Sequence, residues 1–152
     1  MIEPGRKAPD FKLRDQDGNE VSLGDFAGRK LVLVFYPLDF SPVCSDQLSL
    51  YQEVLGEIES RGATLVGVSV DSAFCHRAFR EHLNLTMPLL SDFHPKGEMS
   101  SAYRAYREDR GSTNRSLVLV DPDGNVRWSY ASPTSAEIPG ANLIFDALAQ
   151  NC

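Results

Sequence analysis

Residues 31–46, LVLVFYPLDFSPVCSD, decide the fold. They open as a continuous apolar run, Leu31, Val32, Leu33, Val34, Phe35 and Tyr36, which Pro37 stops. A strand covered on both faces needs an unbroken run of this kind, because neither side of its pleat meets water. A short loop with a second proline, Pro42, follows, and Cys44 stands where a helix is expected to begin. The first turn of a helix leaves backbone N–H groups unpaired at the positive end of the helix dipole, and both favour thiolate over thiol. The stretch therefore reads as a buried strand that delivers a nucleophilic cysteine to a helix N-terminus.

Downstream, Leu48, Tyr51, Val54, Leu55 and Ile58 recur at helical spacing, which predicts a helix over 45–61 closed by Gly62. TLVGVSV, residues 64–70, reads as the next buried strand. Strand, helix and strand joined this closely form a right-handed βαβ unit, so the two strands are expected to be parallel. Asp71 and Ser72 can cap a helix over 73–83. Residues 87–90 read as a short edge strand and 96–106 as a helix. Residues 115–120 and 125–130 flank Asp121-Pro122-Asp123-Gly124, a turn that predicts an antiparallel hairpin, and 141–149 make a closing helix. Upstream, residues 1–10 read as an extended arm, 11–13 and 20–22 as a hairpin around Asp17-Gly18-Asn19, and 23–28 as a turn or short helix. With no repeat, linker or low-complexity stretch, residues 1–152 are read as a single α/β domain in the thioredoxin arrangement.

At 152 residues, 42% hydrophobic and 24% charged, the chain can build a core without disulfides. A net charge of −6 argues against nucleic acid or an anionic membrane surface as a partner. No apolar run approaches the roughly 20 residues that span a bilayer, and MIEPGRKAPDF lacks the apolar segment of a signal peptide. Three scattered cysteines, Cys44, Cys75 and Cys152, do not read as a secreted disulfide framework, so a cytoplasmic protein with free thiols is expected.

An ordinary thiol, with a pKa near 8.5, is mostly protonated at pH 7, whereas helix N-termini and cations lower the value to about 3.5–7.5. Fast attack on an electrophile needs that environment and a donor to polarise the target. Ser41, three residues before Cys44, can donate to or accept from a bound oxygen. Pro37 and Pro42 stiffen the loop and bring no N–H of their own. Arg115 opens the hairpin strand expected beside the first strand, from where its guanidinium can reach Cys44.

Pro37, Ser41 and Cys44, in that spacing, resemble the peroxiredoxin signature, and Arg115 in NRSLVLVD resembles the family's second element. APDFKLRDQDG, SVDS and PLLSDFHPKG extend the resemblance over nearly the whole chain, towards the bacterioferritin-comigratory and AhpE-like branches. The resemblance implies a thioredoxin fold of peroxiredoxin type, a central mixed β-sheet flanked by helices with an N-terminal hairpin extension. It implies a thiol-dependent peroxidase acting on hydrogen peroxide and organic hydroperoxides. By the same resemblance Cys44 attacks the terminal peroxide oxygen and becomes a sulfenic acid. Ser41, in the place of a threonine, holds the peroxide together with the Cys44 N–H. Arg115 stabilises the thiolate and the developing charge, and Pro37 shields the sulfur. No metal, haem or flavin is implied, because the thiolate is itself the reductant. Gln47 departs from the family, where many members carry glutamate, and the lost charge bears on how Arg115 is held.

How the sulfenic acid is recycled stays open. One group of relatives carries a second cysteine five residues after the first, which here is Ser49, and another at the position of Arg80. Cys75 lies on the first turn of the 73–83 helix, expected to start at the same sheet edge as the Cys44 helix. A disulfide needs Cα atoms within about 7 Å, so a Cys44–Cys75 bond requires local unwinding. The first expectation is a one-cysteine cycle in which thioredoxin, a mycoredoxin-like protein or a low-molecular-weight thiol reduces Cys44. Cys75 and then Cys152 follow as resolving residues. His76, His82 and His94 show no ligand spacing, so no metal site is expected, and His76 reads as a surface histidine. Glu108 and Asp109 read as a solvated face; Tyr36, Phe40 and Phe93 read as core or rim, or as the surface of a homodimer. A thioredoxin-type dithiol enzyme would need C-x-x-C, and Gln47 occupies the second position. The remaining alternative is a non-catalytic thioredoxin-fold binding or chaperone module, which has no use for Ser41, Cys44 and Arg115 together.

Overall fold

The apolar run becomes β3 (Lys30–Phe35), the strand on which the sheet is built, with Leu31 to Phe35 all buried. The computed structural model describes residues 1–151, so Cys152 lies outside the described residues. Parallel β4 (Ala63–Ser69) pairs on one side in the register Leu33↔Val66. Antiparallel β8 (Ser116–Val120) pairs on the other with Leu33↔Val118, and β9 (Val126–Ala131) follows it in the expected hairpin. Beyond β4 lies parallel β5 (Leu89–Ser91), then the N-terminal hairpin β1 (Lys12–Arg14) and β2 (Glu20–Ser22). The result is a seven-stranded mixed sheet in the order β2-β1-β5-β4-β3-β8-β9.

Strand side chains alternate between two cores. Val32, Val34 and Tyr36 face α1 (Pro42–Glu53), α2 (Leu55–Ser60), α3 (Ala73–Leu83) and α5 (Ala141–Gln150) through Leu48, Ile58, Phe79 and Ile144. Leu31, Leu33 and Phe35 face the opposite side, covered by Ile2 of the arm, by Phe11 just before β1 and by Met99 of α4 (Glu98–Ala102). Each such side chain contributes about 1.5–3 kcal/mol on burial. Gly67 of β4 leaves room for the Tyr36 ring: a Cβ there would stand 3.2 Å from that ring and 2.7 Å from Leu89.

Three expectations need correcting. The helix expected over 45–61 begins earlier, at Pro42, because a proline lacking its N–H is well placed in a first turn, and it breaks at Val54. Val54 is β-branched and Gly56 follows, both poor helix formers, and the bend keeps Leu55 and Ile58 buried. The strand expected at the edge is instead interior, since the N-terminal hairpin adds to β5 through Arg14↔Ser91. The helix expected over 96–106 contracts to α4, with Arg104 in the left-handed region at φ 58°. The following residues form a two-stranded ribbon, β6 (Tyr106–Arg107) and β7 (Ser112–Thr113), whose turn exposes Glu108 and Asp109 as expected.

Candidate active site

Between β3 and α1 the chain runs through a loop that is tied down from several sides. The Thr113 hydroxyl donates to the Tyr36 carbonyl. The Tyr36 hydroxyl donates to one oxygen of Asp39 at 2.6 Å, and His76 Nδ1 meets the other at 2.7 Å. His76 Nε2 faces the Leu90 carbonyl at 3.0 Å, and the Asp39 N–H donates to Asp71 at 2.8 Å. His76 is therefore fully buried rather than on the surface, because α3 turns its His76–Phe79 face inward.

The loop ends at Ser41, the N-cap of α1, whose Oγ accepts the Cys44 N–H at a long 3.4 Å. The hydroxyl proton of Ser41 has no acceptor among the described residues. Cys44 follows in the first turn and is fully buried. Arg115, just before β8, is 3% exposed and points back across the sheet edge. Its Nη1 lies 3.4 Å from Cys44 Sγ and donates to Gln47 Oε1 at 2.6 Å, and its Nε donates to the Ser135 carbonyl at 2.9 Å. Gln47 in turn donates to the Tyr51 hydroxyl at 3.3 Å, and that hydroxyl donates to the Pro139 carbonyl at 2.6 Å. Burial pushes the Tyr51 phenol up to about 12, so it stays a donor. A neutral amide thus takes the position of the expected carboxylate, and it anchors the guanidinium without neutralising it.

Pro37 and Ser41 line one wall of a pocket of about 270 Å³, and Arg115, Asn114 and Ser132 line others. Cys44 is not among the lining residues, but Ser41 and Arg115, which both contact it, are. Of the four sequence-predicted residues, Arg115 meets the Cys44 sulfur, Ser41 meets the Cys44 N–H, and Pro37 shares the adjoining pocket wall. Tyr51, Ser135, Asp39 and His76 were not singled out for it. Ser135 acts through its carbonyl and carries no side-chain signal, whereas the i, i+4 spacing of Gln47 and Tyr51 was visible.

Cys75 is on the first turn of α3, half-buried, and its N–H donates to the Ser72 hydroxyl. Burial first, and then the Asp39 and Asp71 carboxylates, push its thiol up to about 12, the reverse of what a neighbouring histidine would do. The His76 ring is committed to Asp39 instead. Cys44 and Cys75 are both free thiols. Asp39, Asp71 and Cys75 bring one ligand atom each within 4.8 Å of one another, but Tyr36, His76, Ser69 and the Asp39 N–H already occupy the carboxylates.

Residues 4–129 match the AhpC/TSA family. The chain is 36% identical over 150 residues to alkyl hydroperoxide reductase E of Mycobacterium bovis, covering 98% of this chain and 97% of that protein. It is 41% identical over 131 residues to chloroplastic peroxiredoxin Q of Oryza sativa subsp. japonica, covering 85% of this chain and 59% of that one. The crystal structure of Enterococcus faecalis AhpC superposes with a TM-score of 0.89 at 25% identity, over 99% of this chain and 93% of that chain. Peroxidoxin BcpB from Mycobacterium tuberculosis shares the fold with a TM-score of 0.89 at 24% identity, over 100% of this chain and 99% of that chain.

Proposed function

The chain belongs to the AhpC/TSA family and is a thiol-dependent peroxidase of the peroxiredoxin type, and we propose that Cys44 is its peroxidatic residue. The observation that carries this assignment is the single Arg115 Nη1 placed 3.4 Å from Cys44 Sγ and 2.6 Å from Gln47. In that place a fixed cation stabilises the negative charge that develops on the peroxide oxygens during reaction. Hydrogen peroxide or an organic hydroperoxide enters past Pro37 and Ser41. The Cys44 thiolate attacks the terminal oxygen, so an S–O bond forms and the O–O bond breaks. Sulfur loses two electrons to the peroxide; the attacked oxygen keeps its hydrogen as sulfenic acid, and the leaving oxygen takes a proton as water or alcohol. The Ser41 hydroxyl and the Cys44 N–H hold the peroxide, giving up their long mutual contact to do so.

An external thiol completes the cycle: thioredoxin, a mycoredoxin-like protein or a low-molecular-weight thiol. A resolving cysteine attacks as thiolate, and burial with the Asp39 and Asp71 carboxylates pushes the Cys75 thiol up to about 12, which disfavours Cys75. Residues 1–152 act as one domain, consistent with two cores sharing one sheet. We also assign a homodimer, in which Phe40, 49% exposed with one face on Phe79 and His82, becomes buried; Phe40→Arg should give a monomer in sedimentation. No helix among the described residues is long and apolar enough to cross a membrane. Free thiols fit a reducing compartment, and we place the enzyme in the cytoplasm.

The test is to treat reduced protein with one equivalent of hydrogen peroxide, trap with dimedone and map the products by mass spectrometry. A dimedone adduct on Cys44 alone is expected. An untouched Cys44 would overturn the assignment, and a Cys44–Cys75 crosslink would overturn the one-cysteine cycle.

A further inference from the structure

The chain carries 21 acidic and 15 basic residues, yet the pocket beside Cys44 is lined by Arg107, Arg110 and Arg115 and by no carboxylate. The three arginines are not equivalent. Arg115 is turned to Cys44 and Gln47. Arg107 is held in a fork by Asp109, at 2.8 and 3.2 Å, so much of its charge is spent there. Arg110 forms no salt bridge among the described residues, although its charge reaches Asp109; its Nη1 donates to the Ser135 hydroxyl at 3.2 Å. The carbonyl of that same Ser135 accepts from Arg115 Nε at 2.9 Å, so a single residue separates the two guanidiniums. A second observation points the same way: Ser132 Oγ, in the pocket wall, is buried without a hydrogen-bond partner among the described residues. A buried hydroxyl without a partner is costly unless a ligand satisfies it.

We propose that this pocket selects organic hydroperoxides that carry a carboxylate, with Arg110 and the Ser132 hydroxyl engaging the carboxylate while the peroxide meets Ser41, Arg115 and Cys44. The inference rests on Cys44 being the peroxidatic residue. Guanidinium matches a carboxylate with parallel N–H donors, and a cation at a pocket mouth also raises the encounter rate of anions. A neutral hydroperoxide gains from neither effect. The redox step is unchanged: the carboxylate takes no part, the thiolate gains the terminal oxygen, and the leaving oxygen departs as an alcohol on the same molecule.

The experiment compares tert-butyl hydroperoxide with its carboxylate analogue, 3-hydroperoxy-3-methylbutanoate, in rapid-quench oxidation of Cys44 read by mass spectrometry. At low salt the carboxylate should react about tenfold faster, an advantage that shrinks in about 0.5 M sodium chloride. Arg110→Gln should cut the rate ratio about fivefold. Asp109→Asn, which releases Arg107 and removes the carboxylate that Arg110 also faces, should raise it. Arg77→Gln, on the exposed face of α3, should leave it unchanged. Equal rates for the two peroxides in the wild type would overturn the inference while leaving Cys44 peroxidatic. So would a ratio insensitive to Arg110→Gln, or one that Arg77→Gln lowers equally. Oxidation of Cys44 by neither peroxide would overturn both.

Discussion

Arg115 is held at both ends of its guanidinium, by Gln47 from α1 and by the Ser135 carbonyl from the loop after β9. Arg115→Lys keeps the charge but cannot reproduce the fork, so Cys44 oxidation by hydrogen peroxide should slow about 10²-fold in competition kinetics. Gln47→Leu leaves a buried guanidinium without its nearest acceptor; we expect a loss of about 1–3 kcal/mol in urea denaturation and slower oxidation of Cys44. Cys75→Ser should turn over with an external dithiol as the wild type does, with no internal disulfide in intact-mass spectra.

At the level of elements, the loop between β3 and α1 is aimed by α3 rather than by its own sequence. His76 reaches up from α3 to Asp39, five residues before Cys44, and both side chains are fully buried. Removing one partner of a buried hydrogen bond leaves one Asp39 oxygen unsatisfied, with only the Tyr36 hydroxyl still donating to the other, so His76→Phe should lose about 1–3 kcal/mol, measured as a urea midpoint shift without a change in slope. The Ser41 cap makes a smaller contribution. Ser41→Ala should lose about 1 kcal/mol through the helix end and, separately, slow peroxide reduction.

Across the whole molecule, several weak acids are kept protonated by the fold. Burial raises Tyr36 and Tyr103, and pushes Tyr51 and Cys75 each up to about 12. Each group ionises in the unfolded chain first, from about pH 9 for the thiol and 10 for the phenols. The unfolded state then binds fewer protons than the native state, so stability falls as pH rises from about 9 towards 12. Urea midpoints should decline over that range, and Cys75→Ser should remove the earliest part of the decline.

Local order determined a good deal of this protein. An unbroken apolar run is legible as a doubly buried strand, and the 37–44 spacing places Pro37, Ser41 and Cys44 on one loop and helix start whatever surrounds them. Even Arg115 follows, because antiparallel pairing puts the start of β8 beside the end of β3, where Phe35 pairs with Ser116. Only the tertiary structure decided what holds those groups in place. Ser135, Pro139 and Leu90 contribute backbone carbonyls, which any residue possesses, so no sequence pattern marks them. His76 sits on a helix whose periodicity shows that one face is apolar, but not that Asp39 will be buried against it. The same limit hid the interior position of β5 and the ribbon that carries Arg107 and Arg110. Segments of two or three residues are stabilised by their neighbours in space, and their local signal is too weak to announce them.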